Sequence, residues 1–101
     1  MGVIATYTCP ACGYRAEVHE GGGFFAENEL RVCRATGDLV AVTTAVHRHG
    51  DCEPPPEIAV GACPDCGGAD LAEPARIGIR RRVACPRCGE ATRRATAGLW
   101  D

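Results

Sequence analysis

The apolar positions of this chain come in short runs with a period of two. In YRAEVHE (14–20), Tyr14, Ala16 and Val18 share one face and Arg15, Glu17 and His19 share the other. That is the alternation of a half-buried strand. ENELRVC (27–33) and DLVAVTTAV (38–46) read as two further strands, flanking the segment CRATG. RIGIRRRVAC (76–85) also alternates, with Ile77, Ile79, Arg81 and Val83 on one face. The glycines at 21–23 mark a turn. They are not a phosphate loop, because no Gly-Lys-Ser/Thr and no helical pattern follow. No helical period exceeds two turns, so the expected fold is small and β.

Composition changes that picture in one respect. The chain has 101 residues and five aromatics, Tyr7, Tyr14, Phe24, Phe25 and Trp100. Modules of about fifty residues bury too little apolar surface to fold without disulfides or a metal. Eight cysteines can supply that staple. The N-terminal MGVIATYTCP offers neither a basic n-region nor an apolar h-region, and no run approaches the roughly 20 apolar residues of a membrane helix. A cytoplasmic chain without a membrane partner is therefore expected, and there the thiols stay reduced and their spacing reads as metal binding.

The segment HRHGDCEPPPE, His47 to Glu57, divides the chain. Three successive prolines, Pro54 to Pro56, favour a stiff extended spacer. The expected organisation is a module over 1–46, a Pro-rich linker over 47–57 and a second module over 58–101. The net charge of −2 conceals a split: residues 1–60 carry four Arg and eight acids, and residues 61–101 carry seven Arg and five acids.

The candidate chemistry lies in the cysteines. Cys-Pro-x-Cys-Gly occurs three times, at Cys9, Cys63 and Cys85. Two residues between cysteines let one tight turn aim both sulfurs at one ion. Proline pre-sets the turn and the following glycine closes it with positive φ. Cys63, Cys66, Cys85 and Cys88 form C-x2-C-x18-C-x2-C, the spacing of a four-thiolate Zn²⁺ site. Such a site has no open position and predicts a structural metal rather than catalysis. Cys9, Cys12 and Cys33 offer three ligands for a second ion, but Thr36 stands where the second cysteine of the CRATG knuckle, the fourth ligand, belongs. Cys52 is the best candidate to complete that site. His19, His47 and His49 are alternatives, and a degenerate knuckle without metal is a third possibility.

YTCPACGYRAEVHEGGG, the V-C-x-x-x-G-D-L-V-A-V segment, the later CPxCGG and CPRCG, and the terminal GLWD together resemble a family of small bacterial zinc-ribbon proteins. The resemblance covers nearly the whole chain. It implies two zinc-ribbon, rubredoxin-like modules of short antiparallel strands, and a metal, with no activity attached. In that family the first ribbon carries a cysteine at the position of Thr36. YTCPACGY is also similar to an iron knuckle of rubredoxin, but the missing cysteine and the few aromatics favour zinc over iron.

Three functions are weighed. The first is a non-catalytic adaptor that docks a protein partner through strand edges or the apolar Leu99 and Trp100, the latter pair also readable as a lid on the core. The second is a nucleic-acid-binding or transcription-related ribbon using Arg80, Arg81, Arg82 and Arg87. Strand alternation sends Arg81 to the face opposite Arg80 and Arg82, which weakens that patch. The third is a redox or open-zinc enzyme at the incomplete site, for which no catalytic base or small-molecule substrate motif is evident. The adaptor is the expectation, and the protein is expected not to be an enzyme.

Overall fold

A computed structural model describes residues 2–56 and 58–100. Met1, Glu57 (the last residue of the expected linker) and Asp101 lie outside the described residues. Eight strands run antiparallel, and no helix occurs among the described residues. They are β1 (Gly2–Thr8), β2 (Arg15–Gly22), β3 (Ala26–Cys33), β4 (Asp38–Val46), β5 (Leu71–Ala72), β6 (Arg76–Ile77), β7 (Arg82–Val83) and β8 (Arg93–Trp100). The main sheet has the order β4-β3-β2-β1-β8, with β5 also pairing β3, and β6 and β7 form a separate hairpin.

The three strands expected between residues 14 and 46 are present. β2 shows the expected alternation, with Val18 buried and Arg15, Glu17 and His19 exposed. The strands at the two ends, β1 and β8, were not anticipated. They pair from Gly2↔Trp100 to Thr8↔Arg93, with one bulge after Ile4. β1 lies between β2 and β8, so Ala5, Thr6 and Tyr7 are all buried. A strand with neighbours on both sides and cover on both faces loses its simple alternation.

RIGIRRRVAC is a hairpin rather than one strand. Gly78 (φ 76°) and Arg81 (φ 50°) take left-handed backbone, and the Arg81 N–H donates to the Gly78 carbonyl at 3.1 Å. Ile79 therefore stands fully exposed at the tip, and of the expected face only Val83 enters the core.

The division into modules 1–46 and 58–101 also gives way. β8 extends the sheet edge at β1, and β5 pairs with the end of β3, with Cys33↔Leu71 and Val32↔Ala72 in register. Both strands come from the second half, so the halves interleave. The packing explains why. Val83 joins Ala5, Tyr7, Val18, Leu30 and Leu39 in one core cluster. Cys63 joins Cys33, Val40 and Val42 in another, with Leu71 against it. Neither half alone holds enough apolar surface, and sharing it between them buries more.

The backbone ladder between β2 and β3 is confined to the end near their turn, at Gly21↔Asn28 and Gly22↔Glu27. Beyond it they diverge, and β5 takes the freed edge of β3. Knuckles Cys9–Gly13 and Cys33–Gly37 connect β1 to β2 and β3 to β4, so both lie at the end of the sheet away from the glycine turn.

Trp100 closes the other end. Its indole N–H donates to the Glu20 carbonyl at 3.0 Å, and its ring occupies the space a side chain at residue 2 would need. Leu99 points outward.

Nearby, the Tyr7 hydroxyl donates to Glu20 Oε2 at 2.9 Å and Arg94 Nε donates to Oε1 at 2.7 Å. Burial first, and Glu20 second, push Tyr7 from 10.0 up to about 12. An unfolded tyrosine ionises earlier as pH rises, so this contribution to stability is intact below pH 10 and lost between pH 10 and about 12. Denaturant midpoints over that range should fall more steeply for the wild type than for Tyr7→Phe. Parallel curves would contradict the assignment.

Candidate metal centres

Four turns of one design carry seven of the eight cysteines. In each, the glycine N–H donates back to the carbonyl of the first cysteine: Gly13 to Cys9 at 2.9 Å, Gly37 to Cys33 at 2.7 Å, Gly67 to Cys63 at 2.8 Å and Gly89 to Cys85 at 2.9 Å. The four glycines have φ between 73° and 82°, where a Cβ would be strained. CRATG keeps the full knuckle backbone although it lacks proline and the second cysteine.

The sulfurs group across the halves of the chain. Cys9, Cys12, Cys85 and Cys88 form one cluster, and Cys33, Cys63 and Cys66 form another. Within each, all ligand atoms lie within 4.8 Å of one another. The sequence spacing had joined Cys63 and Cys66 to Cys85 and Cys88, and Cys33 to Cys9 and Cys12. Four turns with the same motif fit several pairings by spacing alone. Strand pairing decides among them: β8 on β1 brings the last knuckle to the first, and β5 on β3 brings Cys63 and Cys66 to Cys33.

Cys52 belongs to neither cluster. It sits exposed on a tight turn with His49, the Cys52 N–H donating to the His49 carbonyl at 2.8 Å. His49 in turn stacks on Phe24, with ring centroids 4.2 Å apart. His47 Nε2 lies 3.4 Å from Glu27, and the exposed ring of His19 faces Trp100. None of the proposed fourth ligands reaches Cys33.

The first cluster fits a tetrahedral ion. Metal–sulfur bonds of 2.3 Å imply sulfurs about 3.8 Å apart. Cys9 and Cys88 sulfurs are 3.4 Å apart, and Cys12 and Cys85 sulfurs are 3.6 Å apart. The Arg87 N–H points at Cys85 Sγ (3.4 Å), and the Gly68 N–H at Cys66 Sγ (3.4 Å) in the second cluster. Such donors offset thiolate charge around a cation.

In the second cluster Cys33 and Cys66 sulfurs are 3.6 Å apart, and Cys33 and Cys63 are buried. Thr36 stands at the fourth knuckle position without supplying a sulfur. Its Oγ1 is buried and has no partner of hydrogen-bond geometry.

The thiols respond to this crowding. The Thr36 hydroxyl dipole and then the Thr36 N–H draw Cys33 down to about 7. Burial pushes Cys9 up, but the Cys12 and Ala11 N–H groups and the Cys88 thiol outweigh it and bring Cys9 to about 7. The Glu90 backbone favours the Cys88 thiolate, yet Cys9, burial and the remaining thiols drive Cys88 to about 12. One sulfur thus ionises readily and its neighbour resists. A cation that lets all of them ionise releases protons on binding, so its affinity falls with acidification.

A polar bridge, missed in the sequence, joins the two centres. Tyr14 follows the first knuckle, Asp38 follows the second, and Arg87 lies inside the last. Arg87 Nη2 donates to Asp38 Oδ1 at 3.1 Å, and its guanidinium lies over the Tyr14 ring, 5.5 Å from the centroid. The Tyr14 hydroxyl accepts the Leu39 N–H at 2.9 Å and donates to Asp38. The position of each residue just beside a knuckle was the available signal.

Arg87, one of the arginines expected to meet nucleic acid, is thereby paired with Asp38 while staying more than half exposed. Arg80 and Arg82 line a cleft of about 440 Å³ with Arg76, Arg93 and Arg94, and no carboxylate lines it. Arg81 faces a different cleft, beside Glu29 and Glu73. The hairpin turn, with Arg81 in left-handed backbone, sets Arg81 apart from Arg80 and Arg82, where strand alternation had been expected to do so.

No family model, no curated protein and no solved structure matches the chain.

Metal counts by native mass spectrometry distinguish the two groupings. Cys12→Ser/Cys85→Ser should lose one ion and keep the other, whereas Cys66→Ser/Cys85→Ser should lose both. If the second double variant keeps one ion and the first loses both, the grouping is wrong.

Proposed function

We propose that this protein is a non-catalytic, zinc-clasped binding module, an adaptor for a protein partner. The observation that carries the reading is the completeness of the first cluster. Cys9, Cys12, Cys85 and Cys88 supply four sulfurs, and a tetrahedral zinc there has no corner left for substrate. Zinc is favoured by the all-thiolate donor set and by the closed geometry. Eight free thiols suit a reducing cytoplasm. The zinc-ribbon likeness is kept only for the knuckles themselves, since the strands interleave.

The docking surface of this reading is the open edge of β8, with Leu99 exposed beside it. An extended segment of a partner adds there by main-chain hydrogen bonds. The clasp serves this by fixing the start of β8 close to its fourth knuckle.

A second reading is favoured by the acid-free cleft of Arg76, Arg80, Arg82, Arg93 and Arg94. Five guanidinium groups without a lining carboxylate suit the phosphates of a nucleic acid. Arg94 is partly engaged by Glu20, with Nη2 2.6 Å from the carboxylate, which weakens this reading.

The two readings separate by salt and by variant. The adaptor reading expects a stoichiometric protein partner that stays bound at high salt and is lost with Leu99→Asp, while Arg80→Ala/Arg82→Ala retains it. Nucleic-acid binding that falls steeply with salt and is abolished by Arg80→Ala/Arg82→Ala, with no such partner found, would replace the first reading with the second. Chelation should abolish either activity by unfolding the sheet, because a structural zinc supplies about 10–16 kcal/mol of apparent folding free energy.

A further inference from the structure

We infer that the cluster of Cys33, Cys63 and Cys66 is a labile metal site with one exchangeable corner, and that this corner accepts an exogenous thiol. The inference rests on reading the cysteine clusters as metal sites and goes beyond the structural role given to the first.

Three observations carry it. First, the CRATG turn has the same backbone as the three cysteine-paired knuckles, including its 2.7 Å Gly37–Cys33 bond and the left-handed Gly37. Residue 36 therefore stands where each of the other turns places its second sulfur. Second, the side chain there is a threonine whose oxygen is buried and unpartnered. It lies beside the Cys33 thiol of the same cluster, so it faces the position a metal would occupy. Third, the three sulfurs are already gathered within 4.8 Å of one another.

A neutral hydroxyl is a poor match for a soft, thiolate-bound cation. It is also held by a shorter bond than sulfur, so it stops short of the corner. Three thiolates leave that corner to solvent. A small thiol completes the preferred four-sulfur set: its sulfur bonds the metal, its proton passes to solvent, and the solvent ligand leaves. No electrons change hands. The exposed Cys66 marks the side from which a thiol arrives. The Thr36 hydroxyl is placed to hydrogen-bond the incoming donor and so hold it in position.

The two clusters then differ in kind. One is closed and inert to added ligand. The other holds metal through three protein sulfurs and exchanges the fourth ligand, which is what passage of a metal to or from a cysteine-bearing carrier requires.

Cobalt(II) titration of the full-length apo chain tests this, because cobalt absorption reports how many sulfurs surround each ion. The wild type should take up two equivalents, one with a four-sulfur spectrum and one with a three-sulfur spectrum. Adding 2-mercaptoethanol should shift the second towards four-sulfur character and leave the first unchanged. Thr36→Cys should show two four-sulfur ions and no response to the thiol. Thr36→Ala, which keeps the corner open, should retain the three-sulfur spectrum and its shift, and so serves if the cysteine variant misfolds. One four-sulfur cobalt without a second ion, or a second ion that ignores the thiol, would overturn the inference. Absence of the four-sulfur component would instead count against the clasp.

Discussion

The structure depends on one constraint: four sulfurs from opposite ends of the chain must converge on a single point. Cys9 and Cys88 lie 79 residues apart and their sulfurs 3.4 Å apart. Bringing such distant segments together costs loop-closure entropy that a core this small cannot easily offset. A multivalent cation held at that point would supply the deficit, and would do so at the start of β8. The pairing of β8 with β1, the burial of Ala5 and Tyr7, and the seating of Trp100 against Glu20 follow from that fixed point.

The second cluster sits on a different seam, where β5 meets the end of β3. The two seams are not independent. Asp38 belongs to the turn region of one cluster and Arg87 to a knuckle of the other, and their ion pair lies over Tyr14. The pair is part-exposed, so its direct contribution to stability is modest, within about 1 kcal/mol. Its larger consequence is geometric, since it sets the orientation of one knuckle relative to the other.

Much of this was legible in the residues, but unevenly. YRAEVHE declared itself as a strand because it has one buried face, and period-two alternation is what such a strand leaves in sequence; DLVAVTTAV did so by its β-branched run, with the adjacent Leu39 and Val40 buried in different clusters. GVIATYT did not, because β1 is enclosed by strands on both sides and its buried positions run together. RIGIRRRVAC misled for a related reason: alternation over ten residues looked like one strand, while the positive φ of Arg81 that folds it into a hairpin has no reliable sequence signature. The cysteine turns were readable one at a time. Their grouping was not, because C-x2-C units of equal design pair in space according to the sheet. Cys52 was proposed for the gap at Thr36 by elimination, and the turn it shares with His49 holds it elsewhere. The gap itself was visible from the start.

The most direct test of the account is a crystal structure of the zinc-loaded protein with anomalous diffraction measured across the zinc absorption edge. The account predicts two anomalous peaks, one bonded to Cys9, Cys12, Cys85 and Cys88 and one to Cys33, Cys63 and Cys66 beside Thr36. A single peak bonded to Cys63, Cys66, Cys85 and Cys88 would contradict it, and would restore two separate ribbons in place of an interleaved sheet.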